Sequence, residues 1–271
     1  LALIIFLSSI YLIDLVAVIY MLVNRKYPPI KSKSPGIMAA AYVSAIAWKL
    51  GDYLIDGHIH MVGPVLSNCK AFGVWLRLLL GVCAISALFA LRSYGLYRVF
   101  CANLPYTGFG FYLPFMVYCA CLLAYGIVIQ FMSPTSTIRY VPELEACFYP
   151  NGFKGALLAF IWATWLFVAF INWKIRNIKS SFNESKEMAL ACFIVFTVLI
   201  YSTVIEFAAP YYPFNLTQRI VTTSLDHVAV NIVWWTIMGP PIFNCLFRRE
   251  RYLEFWIRKL KRDGLQREYQ I

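Results

Sequence analysis

The chain has 271 residues, of which 61% are hydrophobic, 17% aromatic and only 14% charged, with a mean hydropathy of +0.67. A soluble domain sits near half apolar and about a quarter charged, so this composition excludes one and points to the membrane. The apolar runs are about 20 residues long, the length of a helix that crosses a hydrocarbon core of about 30 Å; strands of a membrane barrel would be about 10 residues long, with alternating polarity. The chain opens at Leu1 directly into an apolar run, without an initiating Met, and so reads as a fragment.

In chain order, the first expected span is Leu1 to Val23, interrupted by Ser8, Ser9 and Asp14. A basic loop, Asn24 to Pro35, carries Arg25, Lys26, Lys31, Lys33 and the helix-stopping pair Pro28-Pro29. The second span, Gly36 to Ile55, ends in Lys49, Asp52 and Asp56. After the loop Gly57-His-Ile-His-Met-Val-Gly63, Pro64 is expected to open the third helix. That helix organises the rest: from Ala71 to Ala90 its only charge is Arg77, Cys69 stands at one end, and Leu91-Arg-Ser-Tyr-Gly-Leu-Tyr-Arg-Val-Phe100 leads out of the other. The fourth span is Phe111 to Met132, followed by a long loop, Ser133 to Gly152, that holds Cys147. The fifth, Phe153 to Trp173, leads into the polar, basic loop Lys174 to Glu187. The sixth is Met188 to Ala208, then an aromatic turn, Ala209 to Phe214, and a seventh, Arg219 to Leu246. Pro240-Pro241 is expected to break or kink the last helix.

Alternating the loops puts 18 of the 24 Lys and Arg on one side, which accounts for the entire +11. This is the positive-inside pattern and not a nucleic-acid signature. The expected fold is an all-α membrane protein: a seven-transmembrane bundle over residues 1–247, N-terminus outside and C-terminus inside. A cytoplasmic tail, 248–271, would form a short basic amphipathic helix on the inner leaflet and lead into a further domain. Cys245 is placed where palmitoylation would add an anchor. Cys69 and Cys147 are the two cysteines outside the spans on the oxidising side, so a Cys69–Cys147 disulfide is expected. Asn215-Leu-Thr217 is an outer sequon close to the membrane, and Asn183-Glu-Ser185 faces inward.

Ionisable groups within spans are costly and mark functional candidates. Lys49, Asp52, Arg77, Glu206, Asp226 and His227 converge on the outer half of the bundle. Two readings stand side by side: a ligand pocket, or an internal ion-pair network in which Arg77 holds Asp226 or Asp52. Asp14 and Asn231 lie near mid-membrane, Asp14 as a structural partner. Enzyme signatures are missing: three histidines make no zinc set, there is no Gly-x-Ser-x-Gly, and the seventh span lacks a lysine for a retinal Schiff base. No metal or cofactor is expected.

Several stretches carry a resemblance. They are Lys26-Tyr-Pro-Pro-Ile-Lys-Ser-Lys-Ser-Pro35, Trp48-Lys-Leu-Gly-Asp52 with Gly57-His58, Leu91-Arg-Ser-Tyr-Gly-Leu-Tyr-Arg98, and Arg176-Asn-Ile-Lys-Ser-Ser-Phe-Asn-Glu-Ser-Lys-Glu187. In these the chain resembles G-protein-coupled receptors, specifically the fungal and plant seven-transmembrane receptors that carry a regulator-of-G-protein-signalling domain after the last helix. It departs from the rhodopsin-like pattern, with no Asp-Arg-Tyr after the third helix and no Asn-Pro-x-x-Tyr in the seventh. The resemblance implies a plasma-membrane receptor that couples an extracellular ligand to a heterotrimeric G protein through Gα, with the regulator domain beyond Ile271. At the inner face, Arg92 or Arg98 is expected to pair with Glu184 or Glu187. A seven-span transporter or lipid-handling membrane protein is the other open reading.

Overall fold

The structure is a computed structural model that describes residues 1–60, 63–102, 104–106, 108–176, 184–208 and 215–262. The expected aromatic turn at 209–214, residues 177–183 of the basic loop, the Glu184 side chain and the end of the tail lie outside the described residues.

Helix α1 spans Ala2–Val23 and the short α2 spans Pro28–Lys31. The Pro28-Pro29 pair therefore opens a helix as well as ending one, because a first-turn proline gives up an N–H that has no partner there. Helix α3 is Pro35–Ile55, again with proline in its first turn, and α4 is Gly63–Leu66. The third long helix begins not at Pro64 but at Lys70. It runs as a π-helix over Lys70–Cys83 and continues directly into α5, Ala84–Phe100. Then come α6 (Phe109–Phe131), α7 (Asn151–Ile175), α8 (Glu184–Ala208), α9 (Leu216–Phe247) and α10 (Arg249–Arg262). Between α6 and α7 the expected plain loop contains a small antiparallel ladder, β1 (Arg139–Val141) on β2 (Ala146–Phe148), with Tyr140 opposite Cys147. Helix α9 runs through Pro240 and Pro241, and the break comes at Arg248.

Among the described residues, six helices are long and apolar enough to cross a membrane: Ala2–Val23, Lys70–Val99, Phe109–Phe131, Asn151–Ile175, Lys186–Ala208 and Leu216–Phe247. The chain is an integral, multi-pass membrane protein built as a helical bundle. Helix α3 has the length of a span, at 21 residues, but its burden of Lys49, Asp52, glycine and small residues leaves it outside that set. Helices α1, α6 and α8 leave large apolar side chains exposed, among them Leu12, Phe131 and Phe193, as helices bathed in hydrocarbon do.

Among the described residues, a small apolar cluster, Leu96 with Ile171 and Ile175, and two large ones fill the interior. One joins α1, α3, α5, α7, α8 and α9 through Met21, Met38, Phe89, Trp165, Met188 and Met238. The other lies at the disulfide end, where Ile55, Val74, Leu78, Tyr149 and Phe153 pack around Cys69 and Cys147. These two cysteines form the expected disulfide, with Cα atoms 5.8 Å apart, and it ties β2 to the start of the π-helix. At the opposite end, the Tyr27 hydroxyl donates to the Arg249 carbonyl at 2.8 Å, and Trp256 is buried. Helix α10 is thereby seated on the segment between α1 and α3.

Candidate functional site

The approach of α3 to the π-helix creates the site. A Cβ on Gly51 would fall 2.6 Å from the Arg77 Cβ, and one on Gly81 would fall 2.7 Å from the Trp48 Cβ. Only glycine lets the two backbones come this close, the usual device for packing helices within a membrane. The π-helical winding then sets the register. Gly73, Leu78 and Cys83 are buried at five-residue intervals, as are Val74 and Leu79 beside them. The parallel series through Arg77 and Val82 turns toward the bundle interior.

There, Asp52 is fully buried between two partners. One carboxylate oxygen meets Arg77 Nε, and the other lies 2.9 Å from His227 Nε2. The other ring nitrogen, His227 Nδ1, lies 3.0 Å from the Tyr11 hydroxyl, and the Tyr42 hydroxyl donates to the Tyr11 carbonyl at 2.8 Å. On the far side Arg77 Nη2 reaches Asp56 at 3.4 Å, Thr223 Oγ1 donates to the same Asp56 oxygen at 3.2 Å, and Arg219 Nη1 donates to the Asp56 carbonyl at 2.6 Å. His58 Nε2 closes the chain 3.0 Å from Thr223 Oγ1. One connected polar network therefore couples α1, α3, the π-helix and α9. Its centre, Asp52 with His227, is shielded from water, where electrostatic attraction is strong and an orphaned charge is expensive.

Asp56 and His58 sit past the end of α3. Burial pushes the Asp56 carboxyl up to about 6, against the pull of Arg77, and pushes His58 down to about 4. Both effects disfavour the charged form.

Beside this network lies a cavity of about 150 Å³. Its walls come from α3, the π-helix, α5, α7, α8 and α9, with Tyr149 from the segment after β2. Charged groups enter from two sides. Arg77 and Asp226 line it near the network, while Lys154 of α7 and Glu206 of α8 line it opposite, joined in an ion pair of 2.7 Å. The rest is apolar, including Leu78, Ile85, Ile161, Trp165 and Leu199.

Of the six ligand candidates, the cavity takes Arg77, Glu206 and Asp226; Asp52 stands behind Arg77 and holds it, and His227 in turn meets Asp52. Lys49 is brought elsewhere. Its ammonium lies 4.4 Å from the Tyr11 ring centre and 5.8 Å from that of Tyr53, while its neighbour Trp48 lines the cavity. Asp14 accepts from Trp235 Nε1 at 2.8 Å, and the Asn231 side chain donates to the His227 carbonyl at 3.0 Å.

Sequence reasoning missed Tyr11, Trp48, Thr223, Lys154 and Arg219 as members of the site. A signal existed for two of them. Arg219, Thr223 and His227 recur at four-residue steps, one stripe of a helix, as do Asp52 and Asp56.

At the α10 end, Glu187 of α8 takes Lys33 from the segment before α3 at 2.5 Å. Arg92 and Arg98 are both buried on α5, and the Arg98 guanidinium lies 5.8 Å from the Tyr94 ring centre. Asn215 caps α9, its side chain accepting from the Thr217 N–H at 2.9 Å, so the sequon's asparagine is engaged by its own helix. Among the described residues no group of three or more His, Cys, Asp or Glu is arranged to hold a metal ion. No protein-family model matches the chain, and no curated protein matches it.

Proposed function

We propose that the chain is a seven-span signalling receptor of the plasma membrane, N-terminus outside, that couples a small extracellular ligand to a heterotrimeric G protein. In this reading α3 is the seventh span, its polar residues masked by the network, and α10 lies on the inner leaflet ahead of a regulator domain. The observation that carries it is the cavity beside the Asp52–Arg77–His227 cluster. Ligand contact at Arg77 is felt by groups that couple four long helices. Such a cluster has few alternative arrangements, because breaking one partner strands a buried charge, and that makes it a two-state element a ligand can bias. The resemblance in the loop segments supports the same reading.

The test is nucleotide exchange. The chain in lipid nanodiscs should accelerate GTP binding to at least one Gα. Arg77→Ala should change that rate severalfold while surface expression persists. Loss of surface expression in Arg77→Ala would assign the cluster a structural role only. Absence of exchange with every Gα, together with solute flux in proteoliposomes, would favour the transporter reading.

A further inference from the structure

The charges lining the cavity are not all paired. Arg77 is held by Asp52 and Asp56, and Lys154 by Glu206. Asp226 lines the same cavity, is 9% exposed, and makes no ion pair or hydrogen bond among the described residues. Three further polar atoms on the cavity-lining residues are buried without a hydrogen-bond partner, Trp48 Nε1, the Tyr149 hydroxyl and Thr222 Oγ1. Native interiors leave few such groups unmet, and each one costs free energy unless something fills the space and meets it. The void itself is of the size that admits a benzene ring in an apolar protein interior, and most of its wall is apolar.

We infer that this cavity takes a small cationic molecule, an ammonium group on a compact apolar body, with Asp226 as its counter-ion. The inference deepens the receptor reading and rests on it for the consequence of binding. The ammonium replaces the partner that Asp226 lacks, the apolar body fills the space against Ile161 and Leu199, and an acceptor on the ligand can take the Trp48 N–H. An anion is disfavoured, since both basic side chains of the cavity are already engaged by carboxylates.

The probes are benzylamine, protonated at neutral pH, and benzyl alcohol, its neutral analogue of nearly the same shape. Binding is measured by calorimetry and by thermal unfolding of the whole chain in nanodiscs, with empty nanodiscs to subtract partitioning. The amine should bind at least tenfold more tightly than the alcohol, and Asp226→Asn should erase that preference. Ser202→Phe, which fills the cavity and leaves every charge in place, should abolish binding of both; it serves as the second variant if Asp226→Asn does not fold. Equal binding of the two probes, undiminished amine binding in Asp226→Asn, or no binding of the amine overturns the inference. Nucleotide exchange is measured separately on the parent chain, so the receptor reading would survive any of these outcomes. Amine preference without exchange would leave the site standing and remove the receptor.

Discussion

Two aspartates near the same cavity should answer the same substitution differently. Asp52 is paired with Arg77 and His227, so Asp52→Asn leaves the buried guanidinium only its longer contact to Asp56 and should cost about 3–5 kcal/mol of stability. Asp226 has no such partner among the described residues, and Asp226→Asn should cost less than about 1 kcal/mol, since it removes a charge that burial already disfavours. Chemical unfolding of the two variants in one detergent separates them; equal losses would mean that the network is not what holds Asp52. The pH response belongs to this scale as well. Asp56 is raised to about 6 from an unfolded value near 4, so its contribution is fully present below about pH 4 and is lost as pH rises through 6. His58 is lowered to about 4 from an unfolded value near 6.5, so its contribution is present above about 6.5 and is lost as pH falls toward 4. The groups facing the pair are Asp52, Arg77, Glu206, Arg219 and His227. Over about pH 4 to 6.5 the two slopes oppose one another, and the parent should be nearly flat. His58→Asn removes one slope, and the variant should gain on the order of 2 kcal/mol as pH falls from 7 to 4.5. A variant as flat as its parent would show that Asp56 does not titrate in that window.

Helix against helix, the decisive contact is α3 on the π-helix, made possible by two glycines. Gly51→Val would drive its side chain into the Arg77 backbone, and overpacking of this kind costs about 1–3 kcal/mol or more. Gly36→Ala at the start of α3 meets nothing within 4 Å and should be neutral or slightly stabilising. Thermal unfolding distinguishes the pair, and an equal response from both would remove the close approach as a cause of stability. Much of this level was legible in the sequence. Six of the seven expected spans are recovered within a few residues, because unbroken apolar runs of membrane length have few other outcomes. The disulfide was legible too, since only Cys69 and Cys147 lay outside the spans on one side. The winding of the third helix was not. A reading built on 3.6-residue periodicity has no way to anticipate burial at five-residue steps, and such winding is rare. Nor was the β1–β2 ladder, whose three-residue strands carry no usable alternation. At Pro240-Pro241 local preference pointed to a break or a kink, and α9 continues without a break, as membrane helices with packed neighbours permit.

Across the whole molecule, the candidate cavity and the Lys33–Glu187 pair stand at opposite ends of the bundle, and α8 contributes to both. Its Glu206 faces the cavity and its Glu187 holds Lys33, whose side chain is 8% exposed against 15% for Glu187. The sequence reading pairs Arg92 or Arg98 with Glu184 or Glu187 at this end; the Glu184 side chain lies outside the described residues, and Lys33 is a partner of Glu187 that this reading did not name. Lys33 was passed over because an isolated lysine in a basic loop looks like membrane-surface charge. Its burial follows from α2, whose first-turn prolines fold the segment back under the bundle. On the receptor reading, this contact ties α8 to the segment before α3 and favours the packing present here. A local contact can bias a two-state bundle by about 1–3 kcal/mol, fivefold or more in the ratio of states. Glu187→Gln and Lys33→Gln should therefore each raise basal nucleotide exchange by roughly fivefold or more. Reversing both charges, Lys33→Glu with Glu187→Lys, should bring exchange back toward the parent, because attraction is restored with the partners exchanged. Low exchange in all three variants would mean the pair contributes only to stability. High exchange in the double variant as well would show that the surroundings, and not the mutual attraction, set the state of the bundle.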